Sequence, residues 1–245
     1  MPLAAIMFAI DIALVLHAAK TGRFSPWGYI ILFLPGIGGL AYLFIELIPE
    51  WLGSYHGQNA RRRVALTLDP DKRYRQLRDN LEIVDTIANR AALANECLDR
   101  GRYDEALVLY RGVADLPLGR EPLYFLGQAR ALMGLNRPAD AISTLESVRE
   151  AWPDYESADG HLLYARALEA ADRTDEALHE YDEVGKYYPG AEPRARRAML
   201  LARLGRGAEA RTAAEEVIRS LERAPKHVRR TQAQWLAEAK RVAKA

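Results

Sequence analysis

The chain has 245 residues, with 34 basic and 33 acidic side chains and a formal net charge of +1. This near balance gives no electrostatic reason to expect nucleic acid or a strongly acidic substrate as a partner. The single cysteine, Cys97, excludes an intramolecular disulfide and a metal site built from paired cysteines. The length allows one or two domains, and the apolar residues are concentrated in the first 50 positions.

Two apolar stretches at the start of the chain predict a pair of membrane-spanning helices. They cover residues 3–19 and 27–49, and each contains one acidic residue. A helix that crosses a bilayer needs roughly 20 apolar residues, within a range of about 17–25. The alternative is a cleaved signal peptide, but no basic residue precedes Lys20 and Asp11 interrupts the first stretch. We therefore expect a transmembrane hairpin over residues 1–52.

The second stretch carries Trp27, the run Leu-Pro-Gly-Ile-Gly-Gly at 34–39, and Tyr42. These residues resemble the N-terminal membrane hairpin of bacterial cardiolipin synthases of the phospholipase D superfamily. The catalytic motif of that superfamily, His-x-Lys-x-x-x-x-Asp, is absent, because no histidine has a lysine two positions later. The resemblance is confined to about residues 3–50. It implies a bacterial membrane anchor without the enzymatic chemistry.

The basic residues around these stretches predict the orientation. The connection between them holds Lys20 and Arg23, whereas the segment that follows holds six basic residues: Arg61, Arg62, Arg63, Lys72, Arg73 and Arg75. Because basic residues are retained on the cytoplasmic side, both chain ends are expected there. The predicted location is the bacterial inner (plasma) membrane, multi-pass, with the rest of the chain in the cytoplasm.

Two features of this region have more than one interpretation. Asp11 is either an acid satisfied within the hairpin, opposite Pro35 and able to donate to the Ile31 carbonyl, or part of an ion site, which one acid does not support. Residues 53–80 form a basic linker that either lies on anionic lipid through Arg61–Arg63 or is a solvated connector. Lipid attraction would contribute about 1 kcal/mol per basic residue.

Four later segments share one pattern, in which a helix with apolar periodicity is followed by a turn and by an alanine that opens a second helix. These marker alanines are Ala106, Ala141, Ala177 and Ala210, spaced by 35, 36 and 33 residues. Alanine also stands 12 positions before each marker and valine 7 positions after it. These residues are Ala94, Ala129, Ala165 and Ala198, and Val113, Val148, Val184 and Val217.

This pattern resembles the tetratricopeptide repeat, whose period is about 34 residues. The tryptophan of the family motif is absent from every segment, and Leu126-Gly127 lies two residues earlier than the motif requires. The resemblance implies an all-α solenoid of four repeats over residues 81–223, in which helix pairs bury their apolar faces against neighbouring pairs. Residues 224–245 are predicted to form a basic capping helix, with Val228, Trp235 and Val242 facing inward.

No spacing typical of a catalytic triad, a phosphate-binding loop or a zinc site occurs in the sequence. We therefore predict a protein that is not an enzyme and has no catalytic residue, cofactor or metal. Cys97 is interpreted as a core residue, and His161 and His179 as surface residues. The paired acids around residues 175–183 are interpreted as a solvated helix face.

The first helices of tetratricopeptide-like repeats line a concave groove, where such arrays usually bind their partners. In each repeat one residue directly follows the alanine that stands 12 positions before the marker. In the first to the fourth repeat this residue is Asn95, Arg130, Arg166 and Met199. The two arginines could bind the carboxylates of a peptide, or they could instead pair with Glu169 and other acids of the groove.

These features predict a membrane-anchored adaptor or scaffold that binds a protein partner in the groove on the cytoplasmic face. The alternative is a non-catalytic regulator or lipid-binding accessory of cardiolipin metabolism, which would bind anionic lipid through the basic linker. No nucleic acid partner is expected from the charge balance.

Overall fold

The computed structural model describes residues 2–49, 69–116 and 118–244, with side chains from residue 7 onward in the first range. Within these ranges the chain is α-helical with one π-helical segment, and no β-strand occurs. The chain divides into two compact units, Met1–Lys72 and Arg73–Ala245.

The N-terminal unit contains helices α1 (Pro2–Lys20), α2 (Phe24–Phe33) and α3 (Ile37–Tyr42), and α3 continues into a π-helical segment, Leu43–Leu47. Its buried apolar core consists of Ala18, Ile31 and Tyr42. Trp27 packs on Tyr42 with ring centroids 5.4 Å apart, and the Tyr42 hydroxyl lies 3.1 Å from His17 Nδ1. The two aromatic residues of the N-terminal motif therefore form part of one small core.

The stretch 27–49 is not a single helix. The backbone leaves the helical region at Leu34 (φ −128°, ψ 68°), Pro35 has no N–H to donate, and Gly36 has φ 83°. The 10 residues of α2 are about 15 Å long at 1.5 Å per residue, whereas a bilayer core is about 30 Å thick.

Among the described residues, no helix combines the length and the apolar character needed to cross a membrane. The prediction of a multi-pass protein of the bacterial inner membrane is therefore wrong. The break at Pro35 and Gly36 explains the error for the second stretch. The number of apolar residues predicts a membrane-spanning helix only if all of them belong to one continuous helix, and here they do not. In the first stretch, α1 carries the buried acid Asp11 near its middle.

Asp11 is satisfied within the N-terminal unit. Its side chain is 7% exposed, and Oδ2 accepts a hydrogen bond of 2.7 Å from the backbone N–H of Gly36. The partner is thus one residue from the predicted Pro35, and the carboxylate accepts a hydrogen bond instead of donating to the Ile31 carbonyl. Gly39 permits this approach, because a Cβ at that position would overlap Oδ1 of Asp11.

The second unit is an array of antiparallel helix pairs preceded by one further helix. From the helix Ile87–Asp99 to the helix Glu192–Arg203, each helix packs mainly on the helices next to it in the chain. The last helix, Ala233–Lys244, packs instead on Gly207–Arg223 and Glu192–Arg203. The helices are α4 (Lys72–Ile83), α5 (Ile87–Asp99), α6 (Tyr103–Ala114), α7 (Pro122–Gly134), α8 (Pro138–Ala151), α9 (Ala158–Ala170), α10 (Thr174–Gly185), α11 (Glu192–Arg203), α12 (Gly207–Arg223), α13 (Lys226–Thr231) and α14 (Ala233–Lys244).

The turn inside each repeat begins with a residue in the left-handed region. The φ angles are 71° at Gly101, 55° at Asn136, 58° at Asp172 and 76° at Gly205. Glycine, asparagine and aspartate are the residues that adopt this conformation most readily. The following arginine donates its backbone N–H to the carbonyl five residues earlier, at 2.8 to 3.0 Å in every repeat, which closes the end of the first helix.

The same arginine fixes the start of the second helix through an ion pair with the acid three residues later. The four pairs measure 2.6 or 2.7 Å and are Arg102–Glu105, Arg137–Asp140, Arg173–Glu176 and Arg206–Glu209. Surface pairs of this kind contribute about 0–1 kcal/mol each. Their regular recurrence gives the four turns one geometry, and the acids also lie favourably at the positive end of the helix dipole.

The repeat markers form the core of the array. All four marker alanines, the four alanines 12 positions before them and the four valines 7 positions after them are buried. The residues 4 positions after the markers are buried as well: Tyr110, Leu145, Tyr181 and Ala214. The ring of Tyr110 packs where Gly127 has no side chain, which explains the glycine in the second repeat.

Helices close the array at both ends. At the C-terminal end α14 packs Trp235, Leu236 and Val242 on the core, and the Arg196 guanidinium lies 5.2 Å from the Trp235 ring centroid. The predicted single capping helix is two helices, because the chain breaks at Gln232, and Val228 lies in the short α13.

At the N-terminal end α4 belongs to the array, although residues 53–80 were predicted to be a linker. The Tyr74 ring is 9% exposed, its hydroxyl donates to Glu105 at 2.7 Å, and Arg102 lies 4.2 Å above the ring. The hydrogen bond to Glu105 and burial raise the pKa of Tyr74. The predicted lipid-binding residues Arg61, Arg62 and Arg63 lie outside the described residues.

Candidate protein-binding groove

Two of the predicted groove residues line one cavity. Arg130 lies on α7 and Arg166 at the corresponding position of α9, the first helix of the next repeat. Both side chains are exposed, and both face a cavity of about 540 Å³. This cavity, together with its arginines, is called the groove site below. Apolar side chains of the same two helices, Met133, Leu162 and Leu163, also line it.

The two arginines are not neutralised by groove acids. In the described part of the array, neither guanidinium has a carboxylate oxygen within 4.0 Å. Glu169, the acid expected to pair with them, contacts Arg203 at 3.3 Å and accepts a hydrogen bond of 2.6 Å from the Tyr181 hydroxyl. Of the two interpretations of these arginines, the geometry favours the one in which they are available to a ligand.

Two carboxylates also line the groove site, and each has a partner. Glu192 pairs with Arg196 at 2.7 Å, so its charge is locally balanced. Asp159 accepts a hydrogen bond of 3.2 Å from the Tyr188 hydroxyl. Burial and the neighbouring Asp159 carboxylate raise the pKa of Tyr188, so this phenol remains a donor at neutral pH. The cavity therefore offers two unpaired cations against one hydrogen-bonded carboxylate.

The other two predicted groove residues do not line this cavity. The Asn95 amide donates to the Ala91 carbonyl at 2.9 Å, and its oxygen accepts from the Tyr110 hydroxyl at 2.8 Å. Burial raises the pKa of Tyr110 to about 12, which keeps this hydroxyl protonated. Asn95 is thus used within the first repeat, and Met199 is half-buried on α11.

The sequence prediction missed Asp159 and Tyr188 because it used one position per repeat. Asp159 lies seven residues before Arg166, two helical turns away on the same face, so helical periodicity could have identified it. Tyr188 lies after the end of α10, and no periodic signal places it beside α9.

The thiol of Cys97 is a core group. It is 0% exposed, and burial raises its pKa to about 12, which leaves it protonated and unreactive at neutral pH. His161 is not a free surface residue, because its two ring nitrogens lie 2.5 Å from the Tyr187 hydroxyl and 2.5 Å from Glu180 Oε2.

The family model of the tetratricopeptide repeat matches residues 132–204, which include α8 of the second repeat, both helices of the third repeat and α11 of the fourth. No curated protein sequence matches the chain. The matched segment contains Arg166 and Met133 of the groove site, and it begins two residues after Arg130.

Several solved structures resemble the array. A thermophilic tetratricopeptide protein of Thermus thermophilus is 21% identical with a TM-score of 0.52, over 71% of this chain and 96% of that chain. The MamA RS-1 ArsTM double mutant is 17% identical with a TM-score of 0.53, over 66% and 93%. The Podosopora anserina putative kinesin light chain TPR-like repeats are 19% identical with a TM-score of 0.52, over 64% and 86%.

At these identities the similarity shows the fold alone. It confirms the predicted all-α, tetratricopeptide-like solenoid. The predicted resemblance of the N-terminal unit to a cardiolipin synthase hairpin gains no support from these comparisons.

Proposed function

We propose that this protein is a non-enzymatic adaptor whose repeat array binds an acidic segment of a partner protein in the groove site. The fold supports a role in protein–protein interaction, because solenoids present extended concave surfaces for binding. One observation carries the choice of ligand: Arg130 and Arg166 face the same cavity, exposed and without an ion pair in the described residues.

The chemistry of the cavity favours carboxylates. A guanidinium group binds a carboxylate through two parallel hydrogen bonds, and the position on consecutive repeats places two such groups along the path of one extended chain. The apolar side chains of Leu162 and Leu163 line the same cavity and offer contact surface to apolar atoms of the ligand. The Tyr188–Asp159 pair can accept a backbone N–H of the bound segment.

The test is the binding of a labelled acidic peptide to the full chain, measured by fluorescence anisotropy. Arg130→Ala and Arg166→Ala should each weaken binding about tenfold or more, because a hydrogen bond to a charged group contributes about 1.5–3 kcal/mol. The matched control is the pair Arg111→Ala and Arg211→Ala, which removes exposed arginines from the second helices α6 and α12.

Equal loss of affinity in the control pair would show that only net charge matters, and unchanged affinity in the groove variants would exclude this site. The same variants then serve in affinity capture with mass spectrometry. Partners retained by the control pair and lost with Arg130→Ala/Arg166→Ala would be those that use the groove.

A further inference from the structure

A second cavity of the array, of about 650 Å³, shares no lining residue with the groove site. It lies where the end of α8 and the connection to α9 meet the first turns of α9 and the end of α10. Four aromatic side chains line it: Trp152, Tyr155, Tyr164 and Tyr187. Its floor is apolar and includes Leu126, Leu145 and Val148. We call this cavity the aromatic pocket.

Three of the four rings of the aromatic pocket contact neighbouring side chains. The Arg149 guanidinium lies 4.8 Å from the centroid of Tyr164, whose hydroxyl donates to Glu146 at 3.0 Å. Trp152 packs on Phe125 with ring centroids 5.4 Å apart. His161 joins the Tyr187 hydroxyl to Glu180 through its two ring nitrogens. Because these contacts position three of the rings, binding orders few further side chains, which lowers its entropic cost.

The pocket also has donors that the protein does not use. The Trp152 indole N–H, the Tyr155 hydroxyl and the Arg149 guanidinium have no hydrogen-bond partner among the described residues. Two of the rings remain accessible, since Tyr155 is 38% and Tyr187 56% exposed. The lining contains one guanidinium, that of Arg149, and one exposed carboxylate, that of Glu156, so the pocket has no excess charge that would select an ion.

We infer that the aromatic pocket binds a proline-rich segment of a protein in the polyproline II conformation. Such a segment is uncharged, presents flat pyrrolidine rings to aromatic side chains, and has backbone carbonyls without internal hydrogen bonds. The pocket supplies the complementary groups, namely accessible rings for stacking and indole, phenol and guanidinium donors for the carbonyls. This site goes beyond the proposed acidic-peptide groove and does not depend on it.

The experiment is titration of the full chain with a labelled oligoproline peptide. Trp152→Phe keeps a ring and removes the N–H donor, and Tyr155→Phe removes only the hydroxyl. Each should weaken oligoproline binding by about 2- to 12-fold, the factor expected for one net hydrogen bond. Trp152→Ala should abolish binding, with circular dichroism of the variant showing that the array remains folded. Arg166→Ala, in the groove site, should leave oligoproline binding unchanged.

Two further probes make the inference specific. A glycine-serine peptide of the same length should not bind, because it has neither the rings nor the preformed conformation. Equal affinity for that peptide, no saturable oligoproline binding, or binding unaffected by Trp152→Ala would each overturn the inference. A neutral oligosaccharide that does not displace the labelled oligoproline would support the inference. An oligosaccharide that binds at Trp152 when the oligoproline does not would overturn it in favour of a carbohydrate ligand.

Discussion

In the N-terminal unit, three side chains form the buried core, whereas in the array one cluster of buried residues extends from Tyr74 to Ala239. The difference does not follow from apolar content, because the N-terminal unit is richer in apolar residues. Of the large apolar side chains exposed in the described residues, 14 lie between Met7 and Ile45 and 8 in the array.

This contrast shows that the placement of apolar residues decides burial. In the array, alanine, tyrosine and valine recur at fixed distances, so each helix has one inward face and a close crossing point. In α1 and α2 apolar residues occur on all sides, and no face is marked as the inner one. The specific contacts of this unit are few: those of Asp11 and Tyr42, the ring pair of Phe24 and Tyr29, and the ion pair of Arg23 and Glu46 are among them.

The largest effect should come from cavity formation in the array. Leu168 is 0% exposed, so Leu168→Ala should lower the free energy of unfolding by about 2–5 kcal/mol. The matched substitution in the N-terminal unit is Leu32→Ala, at a side chain that is 67% exposed, and it should change stability by no more than about 0.5 kcal/mol. The free energies of unfolding of the two variants are compared by urea denaturation, followed by circular dichroism. Similar losses for both would contradict the distinction between the two regions.

A smaller effect is expected at the polar contact of the N-terminal unit. Asp11→Ala removes the acceptor of the Gly36 N–H and should cost about 1–3 kcal/mol in the local stability of this unit. Asp11→Asn retains a side-chain oxygen and is the control. Hydrogen exchange of the Gly36 amide should accelerate in the alanine variant, while the urea midpoint of the array stays unchanged. A shifted array midpoint would show that the two cores unfold together.

The smallest effect is a pH dependence of the array. The hydrogen bond from His161 lowers the pKa of Glu180 below its ordinary value of 4.5. A carboxyl group whose pKa is lowered by folding stabilises the protein above its unfolded pKa, and this contribution disappears as the pH falls through the folded value. We expect a loss below about 1 kcal/mol as the pH is lowered from about 4.5, since the site is partly hydrated.

Glu180→Gln should remove this part of the pH dependence, and Glu216→Gln, at an exposed acid of α12, should not. The measurement is the urea midpoint as a function of pH. Identical pH profiles for the native chain and the Glu180 variant would exclude this contribution.

Much of the array could be predicted from the sequence because its signals repeat. The residues at Gly101, Asn136, Asp172 and Gly205 share a turn conformation that few residue types adopt, and they recur in phase with the marker alanines. The helix α4 was missed because it occurs once, so no second copy distinguished its amphipathic pattern from a charged linker. The continuous helix predicted over 27–49 failed because hydropathy does not register a break such as Pro35–Gly36.

The candidate sites were predictable to different degrees. Arg130 and Arg166 occupy equivalent repeat positions, so their common face followed from the period. The aromatic pocket could not be foreseen in the same way. Its rings come from a helix end, a connection and a first helix, at positions that are not equivalent between repeats.

The sequence by itself determined the repeat period, the buried positions, the turn conformations and the pair of arginines on neighbouring helices, because each of these depends on residues close together in the chain. The tertiary structure decided which acids pair with which cations. Glu169 pairs with Arg203 and accepts a hydrogen bond from Tyr181, so it is not the partner of Arg166. The tertiary structure also brought four rings around one cavity. These outcomes depend on how helices from different repeats pack, and short-range periodicity does not specify such contacts.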